Sequence, residues 1–331
     1  MDYNQLFTQT WHILRRTPLL WVLGFFAMSL NMVGHLVMRL GSRWASQSIL
    51  QQADLEQALE RLLRQVAQPG VLIAGVVGLT CWLLLVWVVL TVGEGGLIGT
   101  TAQTQRGQPT SLGSALRQGA DWLPSFIAID TIVFFPLFVL LLAIMIIGAA
   151  ALFLAIILGA QRGDLASVFL PLIIGGVIST GLGLFTIPLS LATIAFRHLA
   201  FRAAALRQTG VRQSVRLTWQ IIRQKTGPVI VITALIFGIS YLLGTITTLL
   251  LTPFIFIGGF PTFDALATPS APSPIFSPDH LILTFIHVGL QWGLQSCTFV
   301  IVSVFWTVGF GLVSSEQAAV SSGPLAVSSG Q

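Results

Sequence analysis

Six stretches of the chain are apolar almost without interruption, at about residues 18–38, 71–93, 123–160, 168–196, 228–257 and 281–313. A helix rises about 1.5 Å per residue, so about 20 apolar residues cross the roughly 30 Å hydrocarbon layer of a bilayer. Every stretch is long enough to cross. The third would overrun a single crossing, and it reads either as a hairpin or as one long helix, tilted or bent at Pro136.

Ahead of some of these stretches the pattern becomes periodic. Tyr3, Phe7, Trp11 and Leu14 form one apolar stripe on an otherwise polar helix, and Val211, Val215, Trp219 and Ile222 repeat it at the same spacing. Each passage contains Thr-Trp (Thr10-Trp11 and Thr218-Trp219), ends in basic residues and a proline (Pro18, Pro228), and runs straight into an apolar stretch. A weaker third stripe of Leu112, Ala115, Leu116, Gly119, Ala120 and Leu123 precedes Pro124. The exits recur as well, since Val92-Gly93-Glu94-Gly95-Gly96-Leu97-Ile98 is similar to Val308-Gly309-Phe310-Gly311-Leu312-Val313. The expected unit is therefore an amphipathic cytoplasmic helix, a crossing out and a crossing back, repeated near 1–105, 106–207 and 208–313. The expected fold is an all-α integral membrane protein: six transmembrane helices arranged as three parallel two-helix repeats, in one membrane domain over 1–313.

Composition excludes a soluble fold, because 54% of the 331 residues are hydrophobic and only 8% charged, against about 25% charged in ordinary soluble domains. Charge placement then decides the third stretch. A double crossing there would put Arg197, Arg202, Arg207, Arg212, Arg216, Arg223 and Lys225 outside, seven cations in a passage without an acid, against the positive-inside rule. Six crossings instead place these seven in the cytoplasm with Arg15, Arg16, Arg106 and Arg117, and both termini with them. In the first outer loop Arg39, Arg43, Arg61 and Arg64 are largely offset by Asp54, Glu56 and Glu60, and the last outer loop has only Asp264 and Asp279. Arg15 and Arg16 before an apolar run also resemble a signal peptide, but the run is long enough to span and its polar leader reappears before residue 228.

The loops carry their own signals. Leu55, Ala58, Leu59, Leu62, Leu63 and Val66 form an apolar stripe, with Glu60 and Arg64 four apart on another face. Pro261, Pro269, Pro272, Pro274 and Pro278 argue against regular structure in the last outer loop. Residues 314–331 are mostly Ser, Gly and Ala and are expected to form a disordered tail. Cys81 and Cys297 sit in apolar stretches and offer no disulfide framework.

The lead-in helices, the Gly95-Gly96-Leu97-Ile98 exit and the arginine-rich helix from Arg197 resemble a broad bacterial family of six-helix membrane proteins. That family includes the membrane domain fused to some glycerophosphodiester phosphodiesterases. The resemblance implies a multi-pass protein of the bacterial plasma membrane. No phosphodiesterase sequence lies within these residues, so it implies no activity.

Several residues are candidates for chemistry. Arg197, Arg202, Arg212, Arg216, Arg223 and Lys225 suit anionic lipid headgroups, and Arg212 and Arg216, one turn apart, can clamp one phosphate. Inside the apolar stretches, Asn31 and His35 share a helix face, as do His287, Gln291 and Gln295, while Asp130 is an ionisable group at membrane depth. Such groups either line a polar path or tie helices together. Gly175, Gly176, Gly181 and Gly183, with Pro171 and Pro188, permit close helix packing or a broken helix. No phosphate loop, nucleophile elbow, metalloprotease helix, carboxylate pair or convergent metal-ligand set is present, and no cofactor or nucleic-acid partner is expected. The sequence therefore points to a non-enzymatic protein that organises lipids or a membrane-protein partner at the cytoplasmic face. The alternative is a small transporter or permease-like subunit with a path through Asn31, His35, Asp130 and His287.

Overall fold

The computed structural model describes residues 2–50, 68–162, 165–259 and 278–321. Among these, all regular structure is helical, with eight helices: α1 (Tyr3–Arg16), α2 (Leu19–Leu50), α3 (Pro69–Gln105), α4 (Leu112–Arg162), α5 (Leu165–Arg207), α6 (Val211–Gln224), α7 (Thr226–Gly259) and α8 (Pro278–Ser321). Six of them are long and apolar enough to cross a membrane: α2, α3, α4, α5, α7 and α8, with mean hydropathy from 1.7 to 3.0 over their most apolar windows. The expectation of six apolar crossing-length helices and no strands holds for the described residues.

Local chemistry sets the breaks between helices. Asp2 caps α1 by accepting hydrogen bonds from the backbone N–H of Asn4 (2.9 Å) and Gln5 (3.3 Å). Thr17 leaves helical geometry before Pro18, as the residue preceding a proline prefers to do. Between α5 and α6 the chain turns at Gln208, whose φ of 50° is left-handed, and at Gly210. The Thr209 hydroxyl meets that of Ser214 at 2.7 Å and locks this corner. Gly107 makes the corresponding turn before α4, with a φ of 69° that glycine adopts without a Cβ clash.

Three helices bear on the sequence reading. Residues 112–123 do not form a separate lead-in helix, because α4 continues unbroken through Pro124 and Pro136 to Arg162. A proline forfeits one helical hydrogen bond, a loss that neighbouring turns absorb without ending the helix. α5 is likewise continuous through Pro171 and Pro188, so the broken-helix option is not taken. Of its glycines only Gly175 is closely approached, by Ala151; around Gly176, Gly181 and Gly183 nothing lies within 4 Å of an added Cβ. The last helix runs on through Ser321, eight residues past Val313. The stripe from Leu55 to Val66, the proline-rich residues 261–277 and residues 322–331 lie outside the described residues.

The described chain forms two compact units, Asp2–Leu123 with Ala234–Gly309, and Pro124–Thr233 with the chain from Phe310. Within the first, α2 and α3 pack closely, and an added Cβ on Gly93 would stand 2.5 Å from the Cβ of Ala27. α1 joins them, with Leu6, Thr10, Ile13 and Leu14 buried and Phe7 edge-on to Phe305 at 5.2 Å. Within the second, α6 packs on α5. The most apolar windows of α3 and α4 contain no buried residue, whereas that of α8 is 61% buried. Such outward apolar faces suit solvation by lipid tails.

Candidate functional site

Six of the seven cations between Arg197 and Lys225 separate into two groups of different chemistry, and the seventh, Arg207, is exposed at the end of α5. Arg197 Nε donates to Asp130 Oδ1 at 2.7 Å, and its guanidinium lies over the Phe201 ring, 4.3 Å from the centroid. Phe201 is stacked on Phe126 with centroids 3.9 Å apart, so α4 and α5 are joined by an ion pair seated on two aromatic rings. Arg202 is completely buried and donates to the carbonyl of His198, one turn back, at 2.8 Å. Arg197 and Arg202 were expected among the cations offered to lipid headgroups. Arg202 is corrected out of that set by its zero exposure, and Arg197 by its engagement with Asp130.

The second group is on α6. Ser214, Thr218 and Ile221 are buried and form the face that holds α6 to its unit. Arg212, Arg216 and Arg223 are exposed, and Lys225 at the helix end is half-buried. Trp219 stands among them with 60% of its surface exposed. Arg216, Trp219, Gln220, Arg223 and Gln224 line an open recess along this face. Their spacing of three, four and seven residues makes a continuous stripe, with Arg212 one turn further on. The apolar stripe read from the sequence is therefore split, with Val211, Val215 and Ile222 half-buried and Trp219 exposed. Thr218 points inward, and Trp219, about 100° further round the helix, points outward.

Three of the candidate polar groups at membrane depth, Asn31, His287 and Asp130, are tied to partners within their own unit. Asn31 Nδ2 donates to Gln295 Oε1 at 3.2 Å, and His287, almost wholly buried, contacts the guanidinium of Arg39. His35 is half-buried on α2, between Asn31 and Arg39 in sequence. Gln291 is half-buried on α8, with an Oε1 that is shielded from solvent and receives no hydrogen bond. Asp130 is taken up by Arg197. Sequence reasoning missed Arg39, which it assigned to the outer loop; the signal was present, since Asn31, His35 and Arg39 recur every four residues along one helix face. It also missed that Glu94, in the Gly-rich exit of α3, is buried.

Among the described residues no group of three His, Cys, Asp or Glu side chains could hold a metal ion. Both cysteines are free thiols, Cys81 exposed and Cys297 half-buried. The arrangement supplies a basic, aromatic helix face suited to anions at an interface, and intramembrane polar pairs suited to fixing helix positions. The chain matches no protein-family model, no curated protein and no solved structure.

Proposed function

We propose that the chain is a non-enzymatic multi-pass protein of the bacterial plasma membrane that organises anionic lipids at the cytoplasmic face, and that α6 is the element that does so. The carrying observation is the exposed stripe of Arg212, Arg216, Trp219 and Arg223. Each cation near an anionic leaflet contributes about 1 kcal/mol, and an interfacial tryptophan places its ring at headgroup level. A partner protein with an acidic surface would use the same charges.

The orientation follows from charge bias. With the N-terminus inside, six crossings return the C-terminus inside and place α6 in the cytoplasm, with the larger share of Arg and Lys. The three-repeat reading has support beyond the Thr-Trp passages. Uninterrupted buried runs begin at Gly93, His198 and Ser303 on α3, α5 and α8, 105 residues apart in both intervals. The pairing of Asn31 with Gln295, Arg39 with His287 and Asp130 with Arg197 favours helix-tying groups over a permease-like path, which needs polar side chains turned toward water.

Spin-labelled phosphatidylglycerol and phosphatidylcholine, compared in proteoliposomes, test the reading. At low salt the motionally restricted fraction of phosphatidylglycerol should exceed that of phosphatidylcholine. The excess should vanish near 1 M salt, where the screening length is about 3 Å. Equal fractions at every salt concentration would contradict it.

A further inference from the structure

α1 and α6 are related by a constant offset of 208 residues, and the relation extends from identity to burial. Thr10 and Thr218 are both buried, as are Ile13 and Ile221. Trp11 and Trp219 are 67% and 60% exposed. His12 and Gln220 are exposed, as are Arg15 and Arg223. Each helix uses the threonine side to pack on its own unit and turns the tryptophan side away from it. Two exposed tryptophans at matching positions need a common solvent, and Phe7, 45% exposed on the same side as Trp11, adds apolar surface that water would penalise. Basic residues flank both rings, Arg15 and Arg16 on one helix and Arg212, Arg216 and Arg223 on the other, while the acid Asp2 caps the far end of α1. That combination of outward aromatic and flanking arginine matches an anionic lipid surface. Four helices long and apolar enough to cross (α2 to α5) lie between α1 and α6, an even number, so with each crossing once both helices would meet the same leaflet.

We infer that α1 is a second lipid-surface helix, so that each chain holds the anionic leaflet at two repeat-related places, with Trp11 and Trp219 as equivalent anchors. The inference rests on the lipid-facing reading of α6. The two places differ in strength, because α1 has Asn4 and Thr8 where α6 has Arg212 and Arg216. α1 is held chiefly by its ring and α6 chiefly by its charge.

The test uses full-length protein with both native cysteines replaced by alanine and a single cysteine restored at one of two equivalent positions, His12→Cys or Gln220→Cys. Each is labelled with bimane and reconstituted into vesicles containing brominated phosphatidylcholine, with or without phosphatidylglycerol. A third sample keeps Cys81, exposed within the apolar span of α3, as the insertion control. With the control quenched, both probes should lose fluorescence by about twofold or more in anionic vesicles, as expected for side chains at the acyl boundary. Quenching at position 12 should persist without phosphatidylglycerol, and quenching at position 220 should weaken. If position 220 is quenched and position 12 is not, the inference about α1 is overturned and the reading of α6 stands. If neither is quenched, both fail.

Discussion

Asp130 and Arg197 set the terms on which charge enters this protein. A carboxylate taken out of water costs several kcal/mol unless a cation and hydrogen bonds replace its hydration, and Arg197 meets it at 2.7 Å with Asp130 only 3% exposed. Breaking such a pair costs more than never having had it, because the remaining charge is stranded. Asp130→Asn should therefore destabilise the protein by about 2–4 kcal/mol, and Asp130→Asn with Arg197→Gln should recover at least half of that loss. Thermal unfolding in one detergent reads both variants; a double variant no better than the single one would show that the pair is not coupled. The sequence exposes one half of this device. Asp130 stands out as an acid in an apolar stretch, but its partner lies 67 residues away among seven cations of similar claim. Nothing in the residue types separates buried Arg202 from exposed Arg216; only the packing of α5 and α6 does.

At the scale of elements, the helices were legible and their approach distances were not. The apolar stretches found the cores of six helices, yet α3 continues to Gln105 and α5 to Arg207, because polar residues extend a helix as readily as apolar ones once its first turns exist. Glycines show the same limit. Gly119 and Gly181 look alike in the sequence, but a Cβ on Gly119 would collide with the Val92 carbonyl, whereas Gly181 has open space around it. Gly119→Leu should thus force the start of α4 away from α3 at a cost of about 1–3 kcal/mol or more. Gly181→Leu should be neutral or slightly stabilising, since leucine is the better helix former by about 1 kcal/mol. Comparing their unfolding temperatures checks the assignment, and equal destabilisation by both would refute it.

At the scale of the whole molecule, length and apolarity give the class of protein, and the distribution of arginine is what the proposed orientation rests on. The proposed function rests on a finer division, in which Arg197 and Arg202 of α5 are taken up within the protein while Arg212, Arg216 and Arg223 of α6 are exposed. That division yields a direct test. The parent protein and an Arg212→Ala, Arg216→Ala variant, both purified from native membranes, are compared by mass spectrometry of the lipids they retain. Two exposed arginines removed from one helix face forfeit about 2 kcal/mol of headgroup attraction, so retained anionic lipid should fall several-fold while zwitterionic lipid stays constant. Equal anionic lipid on both proteins would contradict the account and leave the arginines of α6 as topology signals alone.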